Sequence, residues 1–400
     1  MTMPRLLALA AALLPALASP AELVVWHAYR AEEKAAFERV VALYNAKTQG
    51  PKVTTLAVPY DAFADKISAA VPRGKGPDVF IFAQDRMGGW IEAGNTVEPL
   101  DFFLEDETKA RFIPSTLQAM TYRGSVYALP LNYKVITLIY NKKLVPQPPR
   151  TTEELVAIAK KVGNPTAGRF GLAYWYADFY YHAALMNGFG GGVFGPGSAP
   201  TLDRPENVRS LELLVRWLQK DRILPKDPST ALITALFNEG KAAMVFNGPW
   251  FLGEISKSVD YGLAPLPKIS EAGGQPMRPW ITVEGVYVAA PSQQKEAAYE
   301  LAKFLTSTEA QKILAVDGRQ SPANQAVYAD AAVGGDPVLK AFREQVEVAV
   351  PMPNVPEMTM VWSPATTAMT TVTRGAATPK VALDRAQKQV AKDVANLRKR

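Results

Sequence analysis

The chain contains no cysteine. Disulfides, thiolate catalysis, cysteine-ligated zinc and a lipid-modified cysteine anchor are therefore excluded. Histidine is almost as scarce. His27 and His182 are the two in the chain, and neither has a second histidine near it in sequence, so a His-rich zinc site is not available. No metal and no cofactor are expected. His27, just past a strand, reads as a cleft-lining or a buried histidine. An excess of charge is missing too: the formal net charge is +6 over 400 residues, from 44 basic and 38 acidic side chains. With no dense Lys/Arg stripe, nucleic acid is not an expected partner. Long apolar runs are lacking beyond the start of the chain. The opening MTMPRLLALAAALLPALASPA has Arg5, an apolar run from Leu6 to Leu17 and small residues after it. This is the pattern of a secretory signal peptide over residues 1–21, cut after Ala18 or Ala21. The run falls short of the ~20 apolar residues needed to span a bilayer. The expected product is a soluble monomer in an envelope space such as a bacterial periplasm, with no stable membrane insertion.

What the chain does have is enough apolar sequence, 48%, to build about two domains at this length. Short apolar strands alternate with amphipathic helices. ELVVW reads as a strand, and the helix after it aligns Phe37, Val40, Val41 and Tyr44. KVTTLAV is a second strand, DAFADKISAAV a helix with Phe63 and Ile67 on one face, and Val79–Ala83 a third strand. Strand–helix–strand order implies a parallel sheet covered on both faces. The run YALPLNYKVITLIYN reads as one long strand lasting to Asn141, and Thr151 with Glu154 makes a capping box. ALFNEGKAAMVFNGPW is helix, glycine stop, strand and turn, ending at Trp250. VEGVYVAAP reads as a strand and KEAAYELAKFLTSTEAQKIL as a helix. The C-terminal helix, with Leu383, Ala386, Val390 and Val394 in register, reads as docked rather than lying on a membrane.

Catalytic motifs are thin. G-x-S-x-G, H-E-x-x-H and a phosphate loop are absent. G-x-G-x-x-G occurs at Gly190, Gly192 and Gly195 but runs into Pro196, so no helix opens there and the stretch reads as a loop. Aromatic residues are more informative. AYWYADFYYH, NGPWF and MVWSPATT put rings in polar, turn-rich surroundings. A sugar presents flat C–H faces to such rings and hydroxyls to polar groups at the rim. In open α/β sheets ligands bind beyond the carboxyl ends of strands, and Gln84, Asp85 and Arg86 sit just past such an end.

The stretches GPDVFIFAQDRMGGWIEAG, LIYNKKLVPQPPRTTEEL, ALFNEGKAAMVFNGPW, KEAAYELAKFLTSTEAQ and VPMPNVPEMTMVW, in that order, resemble the maltose-binding-protein group, the periplasmic solute-binding components of ABC sugar importers. The resemblance implies an α/β fold of the two-lobed periplasmic binding protein type. Its N-terminal lobe would hold 22–132 with 282–333, and its C-terminal lobe 133–281 with 334–400, joined by crossover hinge strands. It implies Phe82 as a sugar-stacking ring, Asp85 and Arg86 as hydroxyl-binding groups, Asp65 as an acidic cleft position, and Trp250 and Trp362 as stacking rings of the other lobe. The chain departs from the family where Lys134 replaces a glutamate, Ala177 and Phe179 replace a glutamate and a tyrosine, and Thr366 replaces an arginine. Asp178, Tyr180, Lys134 and Glu284 are the candidates to take over those contacts. The expected function is capture of a di- or oligosaccharide, maltose- or trehalose-like, by hinge closure and delivery to ABC permease subunits, without enzymatic turnover. The alternatives are a carbohydrate-cleaving envelope enzyme, or a receptor for a polyol or an anionic solute, an option to which Lys134 gives weight.

Overall fold

In a computed structural model that describes residues 22–399, the chain builds two main sheets. The expected signal peptide, residues 1–21, lies outside the described residues. Glu22–His27 pairs in parallel with Lys52–Ala57 on one side and Val79–Ala83 on the other. Side chains alternate across each strand, so Leu23, Val25, Val79 and Ile81 meet the helix Ala31–Lys47 through Phe37, Val40 and Val41. Trp26, Phe80 and Phe82 point the opposite way, onto Phe63 and Ile67 of the helix Tyr60–Ala70. With helices on both faces, all five residues of Val79–Ala83 are buried.

The parallel expectation holds only for this half of the sheet. Trp280–Val288 lies between Val79–Ala83 and Ala128–Lys134 and runs antiparallel to both. A strand that returns from two hundred residues downstream carries no local mark of its direction. The second sheet orders Tyr261–Ala264, Thr137–Asn141, Ala242–Asn247 and Phe170–Ala173. Its core takes Leu211, Trp217, Met369, Leu383 and Val390, so the final helix Pro379–Leu397 is docked through its apolar stripe.

Two expected elements divide in the structure. The run read as one strand to Asn141 changes sheets after Lys134: Ala128–Lys134 pairs in the large sheet and Thr137–Asn141 in the small one. Val135 and Ile136 between them are fully buried, so no glycine or polar residue marks the junction. The helix read from Lys295 splits into Lys295–Leu305 and Thr308–Gly318. Ser307 caps the second, accepting a hydrogen bond from the Ala310 amide, an alternative that serine offers the backbone and that breaks a continuous helix. Trp280–Val288 also spans both bodies. Trp280 packs with the small-sheet core, while Val286 and Val288 pack in the large-sheet core. Two strand segments thus cross between the halves close together.

Candidate functional site

The exit of Val79–Ala83 is fastened before it turns polar. The buried Gln84 donates from Nε2 to the Ile281 carbonyl at 3.1 Å and accepts from the Val283 amide at 2.8 Å, tying the exit to the crossing strand. Asp85 and Arg86 stand just beyond, paired at 3.4 Å. Asp85 Oδ1 is buried and has no hydrogen-bond partner within the protein. Burial pushes the Asp85 carboxyl up against the pull of Arg86. A cavity of about 250 Å³ gathers Asp65, Asp85, Arg86 and Trp90, and Pro356 and Thr359 also line it. Asp65, placed only by resemblance, therefore joins the pair.

Phe82 lies deeper than a stacking surface would. It is 5% exposed, its ring stacked on Phe63 at 4.9 Å and 2° and flanked by Tyr60 at 5.0 Å. Tyr60, 50% exposed, is the accessible ring here. Burial and the neighbouring Asp85 charge push its hydroxyl up to about 12, and Glu284, Lys134 and Arg86 also act on it. Tyr60 thus stands among four charged groups. Sequence reasoning passed over it, although the i, i+3 spacing of Tyr60 and Phe63 at a helix start puts both rings on one face.

Lys134 and Glu284 meet where the strands cross. Lys134 Nζ lies 2.9 Å from Glu284 Oε1. Asn132 Nδ2 donates to Glu284 Oε2 at 2.9 Å and also reaches the Tyr29 hydroxyl and Gln320 Oε1, both at 3.1 Å. Burial alone would raise the Glu284 carboxyl. The Lys134 ammonium and hydrogen bonds from Lys134, Asn132 and Tyr29 overcome it and hold the group below the usual range. Burial likewise works against the Lys134 ammonium, but Glu284 and Glu33 keep it charged.

The small sheet supplies a second exit. After Ala242–Asn247 the chain turns through Gly248, and Trp250 folds back over that glycine so closely that a Cβ there would collide with the indole. Trp250 is 43% exposed. From it a file of rings runs to Tyr180 (6.2 Å), Trp280 (6.5 Å from Tyr180) and Trp362 (5.7 Å from Trp280, edge to face). Trp280 was not anticipated as part of this file. Asp178 caps the helix Phe179–Gly188, accepting from the Tyr180 amide at 2.8 Å, which accounts for its presence structurally. Phe179 is buried edge-on against Trp280. Both histidines are buried in cores. His27 accepts from the Tyr29 amide and His182 pairs with the Ser210 hydroxyl. Burial lowers His27 to about 4 and His182 to about 3.

The structure thus gathers Asp65, Asp85 and Arg86 in one cavity, Lys134 and Glu284 in one pair, and Tyr180, Trp250 and Trp362 in one aromatic file. The Tyr180 hydroxyl donates to the Trp280 carbonyl at 3.5 Å, on the strand whose Thr282 pairs with Lys134, which brings the aromatic file to the strand of the Lys134–Glu284 pair. Two α/β bodies joined by crossing strands, with rings and charged tips at the strand exits of both, define a solute-binding architecture. The chain belongs to the bacterial extracellular solute-binding protein family, whose model matches residues 27–312. It is 33% identical over 345 residues to the maltotriose-binding protein of Pyrococcus abyssi, covering 85% of this chain and 75% of that one. Against the galactooligosaccharide-binding protein of Bacillus subtilis it is 30% identical, over 91% of this chain and 87% of the relative. Among solved structures, a cyclo/maltodextrin-binding protein complexed with maltotetraose superposes with a TM-score of 0.87 at 31% identity, covering 94% of this chain and 98% of that one. An extracellular solute-binding protein of Staphylococcus aureus in complex with maltose gives 0.84 at 29% identity, over 95% and 99%. The α/β two-lobed fold expected from the sequence is the fold observed.

Proposed function

We propose that the chain captures a neutral di- or oligosaccharide, of the maltose or trehalose type, and passes it to the permease subunits of an ABC importer. The lobes would be 22–132 with 282–333 and 133–281 with 334–400, closing on the sugar about the crossings at Lys134–Thr137 and at Trp280. Residues 1–21 would direct export and be removed, leaving a soluble monomer in the periplasm. The observation that carries this reading is the chemical split of the site. One part of it is rings with accessible faces, Tyr60, Trp250 and the half-buried Trp362, and the other is polar groups whose charges are already matched, Asp85 with Arg86 and Lys134 with Glu284. Ring faces bury the C–H surfaces of a sugar, and matched ion pairs offer donors and acceptors to its hydroxyls. An anionic solute would meet no uncompensated cation, because Lys134 is spoken for by Glu284. The relatives named for maltotriose and galactooligosaccharide binding support the same class. A ligand touching both lobes favours the shut state and shifts the population toward it.

Calorimetric titration of the mature protein with a panel of neutral sugars, a polyol and an organic anion tests the reading. Saturable one-to-one binding of a di- or oligosaccharide, with the sugar recovered unchanged, is expected. Binding confined to the anion, or cleavage of the bound sugar, would contradict it.

A further inference from the structure

A second, larger cavity begins at Tyr176 and Ala177, a few residues before Tyr180 of the aromatic file, and extends to the loop 221–228. It has a volume of about 730 Å³ and is lined by Arg222, Lys226, Arg374, Asp227, Thr370 and Ala177, among others. Thr370 and Arg374 lie on and just after the helix Trp362–Thr373. At 1.5 Å per residue, that places them about 12–18 Å along the axis from Trp362. The floor is braced. The loop 221–228 carries two non-glycine residues at left-handed φ, Arg222 (54°) and Asp227 (46°). Between them Ile223, Leu224 and Pro225 are buried, and the Tyr176 hydroxyl donates to the Pro225 carbonyl at 2.9 Å. Backbone held in sparsely populated conformations persists only where the surroundings enforce it, and such residues gather at ligand sites.

The charges differ from those at the strand exits. Nearby cations are matched: Lys160 and Arg216 pair with Asp221, and Arg216 also with Glu271. Arg222, Lys226 and Arg374 make no ion pair among the described residues, so three cations face one carboxylate, Asp227, around one space. The single aromatic ring in the lining, Tyr176, is itself buried, leaving no accessible face on which a sugar could stack.

We propose that this cavity is a second ligand site, taking a small molecule that carries a phosphate, sulfate or carboxylate group held by Arg222, Lys226 and Arg374. All three are exposed side chains lining one space, and guanidinium forks with an ammonium are the chemistry that recognises such oxyanions. The full chain is titrated at low ionic strength with inorganic phosphate, with a sugar monophosphate, and with a neutral sugar from the panel above. One-to-one binding of either phosphate probe is expected, tighter for the sugar phosphate if the natural ligand is organic and equal if it is the free anion. Arg222→Gly with Arg374→Ala removes two cations while glycine keeps the left-handed turn, and should weaken phosphate binding by at least about tenfold. Lys226→Ala with Arg374→Ala repeats the test without touching that turn. Neutral-sugar affinity should stay within about twofold in both, so loss of the phosphate site and failure of the sugar reading are seen separately. Absence of saturable binding by both phosphate probes, or unchanged phosphate affinity in the two double variants, would overturn the proposal.

Discussion

The two strand exits start from the same kind of sequence, a buried strand running into a turn with an aromatic residue, and end differently. In the large sheet the aromatic is Phe82, still inside the strand, where alternation turns it into the core against Phe63. In the small sheet it is Trp250, three residues past the strand end, where Gly248 lets the indole fold back and stay exposed. One ring therefore serves mainly the core and the other mainly the surface. The large sheet makes up the difference with Tyr60, delivered by a helix, and with charged groups anchored on the crossing strands. Position relative to the last ladder residue, more than residue type, decides whether an aromatic at an exit is buried or left accessible.

That contrast can be broken first by stability. Phe82→Ala removes a packed core ring and should cost about 3–5 kcal/mol, read by urea denaturation. Lys134→Ala should cost a similar ~3–5 kcal/mol, because it leaves the Glu284 charge buried without its partner, and replacing both residues by apolar ones should recover most of that loss. A Phe82→Ala chain as stable as the parent would show that the ring is not core. Trp250→Ala should do the reverse. Its melting temperature should barely move, while sugar affinity falls by about 30–100-fold, corresponding to ~2–3 kcal/mol for an interface tryptophan.

The next effect compares the two cores through their histidines, His27 in one body and His182 in the other. Both are held neutral by burial, with pKa values of about 4 and about 3 against 6.5 for an open chain. Between pH 6.5 and 5 the unfolded chain binds protons that the folded one does not. Stability is therefore full above 6.5 and falls as pH drops, on the order of 1 kcal/mol per pH unit for each histidine. His182→Gln should flatten about half of that slope in denaturation measured across the range, and an unchanged slope would contradict the linkage. The smallest effect is at the divided helix. Ser307→Ala should cost about 1 kcal/mol by loss of the cap, seen as a modest drop in melting temperature.

Much of the fold was legible because it is local. The helix Ala31–Lys47 shows its stripe, Gly240 at φ 68° stops its helix, and Thr151 caps where the pattern Thr-x-x-Glu says it should. What escaped depends on partners far away in sequence. The sheet switch after Lys134 is set by which strands lie alongside, and the apolar run through Val135 and Ile136 is the same in either sheet. The antiparallel insertion of Trp280–Val288 is likewise invisible until its neighbours are known. Among the candidate site residues, the positions of Asp85, Arg86 and Trp250 just past strand ends could be read from sequence. Trp280 and the Asn132, Tyr29 and Gln320 partners of Glu284 could not, since spans of 152 and 188 residues separate Asn132 from Glu284 and Gln320. Asp178 has its partner only two residues away, at the Tyr180 amide.

Because the chain has no native cysteine, spin labels can be placed at Ala69→Cys and Lys257→Cys, exposed positions on the helix that begins at Tyr60 and near the loop after Trp250. The interspin distance, measured with and without a saturating maltooligosaccharide, should shorten by several ångströms and return when the sugar is dialysed away. A sugar that binds while leaving the distance distribution unchanged would contradict closure of the two bodies on their ligand.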